Sequence, residues 1–82
     1  MSGALTIYIR RDVQLPNNEQ WENRFEITGS SGRVYVIAQN RKKRFWACSC
    51  PAWRTRRFCA HLTKIGLPCH ERPYEPKIEA RQ

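Results

Sequence analysis

Cys48, Cys50, Cys59 and His61 put four soft or borderline ligands into fourteen residues, written C-S-C, eight intervening residues, then C-A-H. Two short-range pairs separated by a loop are what a tetrahedral ion asks for. Zinc takes three thiolates and an imidazole at roughly 2.0–2.3 Å. Four protein ligands fill every position, so the expected site holds one structural Zn²⁺ and leaves no water to activate.

A disulfide framework is the competing use of an even cysteine count in a short chain. It needs a secretory context. The N-terminal residues Met1 to Arg11 show no basic stretch followed by an apolar run of signal-peptide length. No stretch approaches a membrane span. The expected location is therefore intracellular and reducing, in cytoplasm or nucleus, where such cysteines more often bind metal. A Cys48–Cys50 disulfide would also close a very small, strained loop.

The ligands must be positioned by elements around them. With 82 residues the chain is one domain, too short to bury a comfortable core, and small domains often add a metal. Residues 1–22 form an N-terminal extension in which Leu5 to Ile9 alternates weakly, as a strand would. Pro16 to Gln20 reads as a turn or as the start of a short helix with Asn17 as N-cap. Arg24 to Thr28 alternates polar and apolar, the signature of a half-buried strand. Gly29 to Gly32 is a turn cluster. Arg33 to Gln39 is rich in Val, Ile and Tyr, as a central strand would be. Arg44 to Cys48 makes a third strand, with Phe45 and Ala47 on one face and Trp46 and Cys48 on the other. Pro51 is expected to end the sheet, and a loop then leads to one short helix over Ala60 to Ile65. Gly66 follows as C′ residue and Pro68 resists continuation. The fold class is thus α+β, a ββα-type zinc-bound module over 23–67 with a three-stranded antiparallel meander and one short helix. Residues 68–82 form a C-terminal tail, extended or disordered.

Within this frame Cys48 and Cys50 need only a modest curl at a strand end to share one ion. In a continuous helix Cys59 and His61 would face apart, so Cys59 belongs just before the helix and His61 in its first turn. Cys69 and His70 are adjacent and poorly placed to chelate; they read as a free thiol and an exposed imidazole.

Charge is distributed unevenly. The net charge is +8. From Ile27 to His70 there is no acidic residue, against the basic Arg33, Arg41, Lys42, Lys43, Arg44, Arg54, Arg56, Arg57 and Lys64. Polyanions are the natural partners of such a surface. Arg41, Lys42, Lys43 and Arg44 sit on a turn. Arg54, Arg56 and Arg57 lie between the ligand pairs, interleaved with Trp53 and Phe58, and Lys64 extends the patch along the helix. Phosphates would meet the cations, and Trp53 could stack on bases. Trp46 and Trp53 have a second use, shielding the zinc site and the core. Enzymatic chemistry finds little support: Glu22, Glu26, Glu71, Glu75 and Glu79 show no pairing for acid–base work, and there is no phosphate-cradling glycine loop.

The run Val34-Tyr35-Val36, then Phe45 through Trp53 with C-S-C-P, then Cys59-Ala60-His61-Leu62, resembles the SWIM zinc finger family, whose signature is C-x-C, a variable spacer and C-x-H. The resemblance covers about Arg33 to Gly66. It implies a ββα metal-bound unit with zinc at Cys48, Cys50, Cys59 and His61, and a role in binding DNA or protein. Charge and resemblance together lead to nucleic acid as the expected partner, DNA before RNA. The alternative is an interaction module whose basic face meets an acidic protein.

Overall fold

β-Branched and aromatic residues in alternation form a three-stranded main sheet. The computed structural model describes residues 5–81. Its elements are β1 (Thr6–Arg10), a single 3₁₀ turn (Arg11–Val13), β2 (Trp21–Thr28), β3 (Val34–Asn40), β4 (Trp46–Cys48), α1 (Pro51–Arg56), α2 (Ala60–Lys64) and β5 (Lys77–Arg81). The expected antiparallel meander is present, with Phe25 opposite Ile37 and Ala38 opposite Ala47. Residues 17–20 form a turn rather than a helix. There Asn18, not Asn17, accepts from the backbone N–H groups of Gln20 and Trp21.

Two helices replace the one expected. Pro51 does end the strand, but it also opens α1 as its first residue, with Cys50 as N-cap. Proline suits that position because its fixed φ is helical and its missing N–H would lack a partner there anyway. α1 stops at Arg57, which adopts a left-handed conformation (φ 56°) and returns its N–H to Trp53 O. α2 ends in a Schellman motif, with Gly66 N–H bonded to Thr63 O and Leu67 N–H to Leu62 O. Gly66 has φ +91° there, a conformation that favours glycine.

Outside the meander, β1 and β5 pair in parallel, Thr6 opposite Lys77 and Arg10 opposite Arg81. The segment expected as an extended or disordered tail thus supplies a strand. Parallel strands need a long crossover; here the rest of the domain lies between them in sequence. Ile7 and Ile9 on β1 join Phe25, Ile37, Trp46, Trp53, Leu62 and Leu67 in one core. The helices pack at the β4 end of the sheet. Among the described residues no helix is long and apolar enough to cross a membrane.

Candidate metal centre

Cys48, Cys50, Cys59 and His61 converge at the junction of β4 with the two helices, with all four ligand atoms within 4.8 Å of one another. Cys48 ends β4 and Cys50 caps α1. Ser49 between them stays in register with β3: its N–H donates to Val36 O at 2.9 Å and its Oγ accepts from Val36 N at 2.9 Å. The chain therefore curls without losing its ladder. Cys59 is the N-cap of α2, and its sulfur accepts from His61 N–H at 3.3 Å. That cap places His61 in the first turn, where the spacing puts it.

The internal distances fit one ion. Cys50 Sγ lies 3.2 Å from Cys59 Sγ, Cys59 Sγ 3.2 Å from His61 Nδ1, and Cys48 Sγ 3.7 Å from the same nitrogen. Tetrahedral zinc bonds imply edges of about 3.5–3.8 Å, so the cluster has the right size. All four cysteines are free thiols.

Burial supplies the electrostatic side. Desolvation pushes the Cys48 thiol well up and raises the Cys59 thiol, with Cys59 adding to the shift at Cys48 and Cys50 to that at Cys59. Burial opposes ionisation of Cys50 as well, but the Trp53 backbone N–H and the neighbouring Cys59 and His61 outweigh it and bring that thiol down to about 7. One low thiol beside two raised ones is a donor set short of positive charge. A divalent cation would replace the protons. The Cys₃His group could thus hold one metal ion, and its soft ligands and size are consistent with zinc.

Gly29 is legible in the sequence only as part of a turn. A Cβ at that position would lie 3.1 Å from His61 Nε2 and 3.2 Å from Tyr35 Cε2. Glycine therefore admits the imidazole beside the β2–β3 turn, where the Tyr35 ring meets it at 5.1 Å between centroids. Nothing in the sequence points to this contact.

Cys69 is a free thiol, as expected, but it is half-buried and bonded. It accepts from Cys59 N–H at 3.5 Å and donates to Cys59 O at 3.3 Å. It braces the cap of α2 from outside the ligand group. His70 is half-buried rather than exposed, and it accepts from Arg72 N–H at 3.2 Å.

The basic residues divide. Arg44 is committed internally: it donates to both Glu75 carboxylate oxygens at 2.7 and 3.0 Å, to Glu22, and to Gln39 at 3.2 Å. It is a structural clamp and not a surface phosphate ligand. Arg41 donates to Asn18 O and approaches Glu22 at 3.7 Å. Arg57 lies 3.5 Å from Glu71 and its guanidinium sits 5.7 Å from the Trp53 ring centroid. Among the described residues Lys42, Lys43, Arg54, Arg56 and Lys64 are exposed and form no ion pair. Trp53 is 3% exposed and offers no face to a base; of its two expected uses, shielding the core matches the structure. Phe58 is 58% exposed beside Arg57 and is the open ring of that segment.

The chain matches no family model, no curated protein and no solved structure.

Proposed function

We propose that the protein is a SWIM-like zinc module that binds nucleic acid, DNA before RNA, through a basic surface, and that it acts as an accessory factor inside the cell and not as an enzyme. The observation that carries this reading is the Cys₃His group at metal-binding distance inside a segment free of acidic residues. The group could hold the fold while contributing little negative charge. The exposed Lys42, Lys43, Arg54, Arg56 and Lys64 supply cations with no carboxylate partner among the described residues. A protein-interaction module facing an acidic partner is the second reading, and the same cations favour it.

Titration of labelled DNA and RNA at several salt concentrations tests the proposal. Binding to duplex DNA should weaken linearly on a log–log plot, each phosphate contact adding about −0.9 to the slope. Arg54→Ala with Arg56→Ala should flatten that slope without changing the melt. Arg57 is a poor test residue because it also caps α1 and pairs with Glu71. Absence of any DNA or RNA affinity at low salt would remove the nucleic-acid reading.

A further inference from the structure

The two faces of the main sheet are used differently. One carries Phe25, Ile37, Trp46 and Cys48 into the core. The other opens on a groove of about 1300 Å³, floored by Val36, Ala38 and Ala47. These floor side chains are small, so the backbone of β3 and β4 can be approached closely. One wall is aromatic: Trp21 and Phe45, both half-buried, meet edge to face at 5.9 Å between centroids. Arg57 lines the groove as well, with its guanidinium over the ring of Trp53, which is 3% exposed.

Volume and charge together narrow the occupant. A small-molecule pocket encloses about 300–1,000 Å³, and this groove is larger and open along the sheet. Arg24, Arg41, Lys42, Lys43 and Arg57 line it against Glu19 and Glu71. Arg24 and Arg41 are engaged by the backbone carbonyls of Pro16 and Asn18, and Arg57 by Glu71. Lys42 and Lys43 therefore remain as exposed cations beside an aromatic wall. That is the combination by which single strands are held: cations follow the phosphates and rings take the bases, whose faces are hidden in a duplex.

We infer that this groove binds single-stranded nucleic acid, with bases against Trp21 and Phe45 and phosphates at Lys42 and Lys43. The inference rests on the nucleic-acid reading above and specifies its site and strand state. It moves the stacking role from Trp53 to Trp21 and Phe45; Arg54 and Arg56 do not line the groove and meet phosphates of the strand beyond its α1 end.

Tryptophan fluorescence gives a site-specific readout. Trp46 and Trp53 are 1% and 3% exposed, so quenching by a bound base must come from Trp21. The zinc-loaded protein is titrated with an oligothymidylate of about ten nucleotides and with a duplex of equal length, following both anisotropy and intrinsic fluorescence. Single strand should be preferred by about tenfold, which one stacked base supplies. Lys42→Ala with Lys43→Ala should weaken binding about tenfold and reduce the salt slope by about 0.7 for each phosphate that no longer meets a cation, with an unchanged melt. Trp21→Phe should remove the quenching while anisotropy still reports a complex. Equal or better binding of the duplex, or quenching that persists in Trp21→Phe, overturns the groove while leaving nucleic-acid binding intact. Failure to bind either probe brings down both readings, and binding of a polyglutamate peptide in that case identifies an acidic protein as the partner.

Discussion

The Cys₃His corner and the Arg44 clamp each bring several elements of this domain to one point, yet they are built on opposite terms. At the corner, four ligands come from fourteen consecutive residues and could meet on one ion. At the clamp, Arg44 reaches Glu22 across 22 residues and Glu75 across 31, and Gln39 reaches Tyr74 O across 35. Gln39 is fully buried, yet every polar atom of its side chain is used: Oε1 accepts from Asn23 and Arg44, and Nε2 donates to Arg44 O and Tyr74 O. The Trp46 indole N–H also donates to Tyr74 O, at 3.1 Å. The clamp thus ties β2, β3, the β3–β4 turn and the C-terminal segment to one guanidinium. The difference teaches that a local site is written in spacing, whereas a non-local one exists only after folding.

Removing the metal should produce the largest effect. A core this small would depend on a metal held at that group, so binding and folding should be one event. Cys59→Ser should abolish the cooperative melt followed by circular dichroism, and chelation of the wild type should do the same. A mutant that melts like wild type would show that the corner carries no folding energy, and the comparison with the clamp would reverse.

The clamp comes next. Arg44→Ala would leave Gln39 Oε1 with Asn23 as its one donor and the Glu22 carboxylate with only the longer approach of Arg41 at 3.7 Å. The expected loss is about 2 kcal/mol, or roughly 10 °C in melting temperature for a domain of this size. Arg44→Lys should recover only part of it, because an ammonium cannot bridge Glu22, Glu75 and Gln39 at once. Full recovery by lysine would mean that charge alone, and not the planar fork, holds the segments.

This contrast also explains what is legible in the sequence. The meander, the ligand set and the cap of α2 follow from alternation and from spacing inside a short window. α1 escapes such a window because a proline after a cysteine signals a strand stop, although proline is equally a helix start. Arg44 groups with its neighbours because three cations precede it. Its left-handed φ of 63° and its carboxylate partners belong to residues no local window contains. β5 escapes for the same reason, since its partner β1 lies at the other end of the chain. Gly29 shows the limit even near the site: the closeness of His61 to its backbone cannot be read from a Gly-Ser-Ser-Gly turn.

At that glycine the corner can be perturbed without touching a ligand. Gly29→Ala would press on both His61 and Tyr35. The fold should persist, with metal affinity reduced by about tenfold, the usual effect of disturbing a group that orients a ligand. Competition with a chromogenic chelator measures it. An unchanged affinity would show that the imidazole can move aside freely.

Acid should separate the two regions further. Arg44 holds the Glu75 carboxyl below its ordinary value of 4.5. A carboxylate with a lowered folded value contributes stability that is complete above the ordinary value and is lost as pH falls through the folded one. The clamp should therefore survive mild acid, while thiolate ligands are already competing with protons near neutrality. Zinc release, followed by a metal-sensitive dye, should therefore come with or before the acid unfolding of both wild type and Arg44→Ala, at a pH where Glu75 is still ionised. The reverse order would mean that the clamp is the weaker fastening.

Lys42 and Lys43 provide the smallest and sharpest comparison, because they sit beside Arg44 in one basic run. Their backbone N–H groups are held by Asn40 Oδ1 at 3.0 and 2.8 Å, so the turn is fixed whatever the side chains are. Their ammonium groups form no ion pair among the described residues, and an exposed cation facing neighbours of like sign stabilises nothing by itself. Lys42→Ala and Lys43→Ala should each leave the melting temperature within about 2 °C of wild type. They differ from Arg44→Ala only if the run has two jobs: Arg44 holds the fold, and the lysines face outward. A destabilisation equal to that of Arg44→Ala would show that the whole turn acts as one clamp, and the proposed nucleic-acid groove would lose its two free cations.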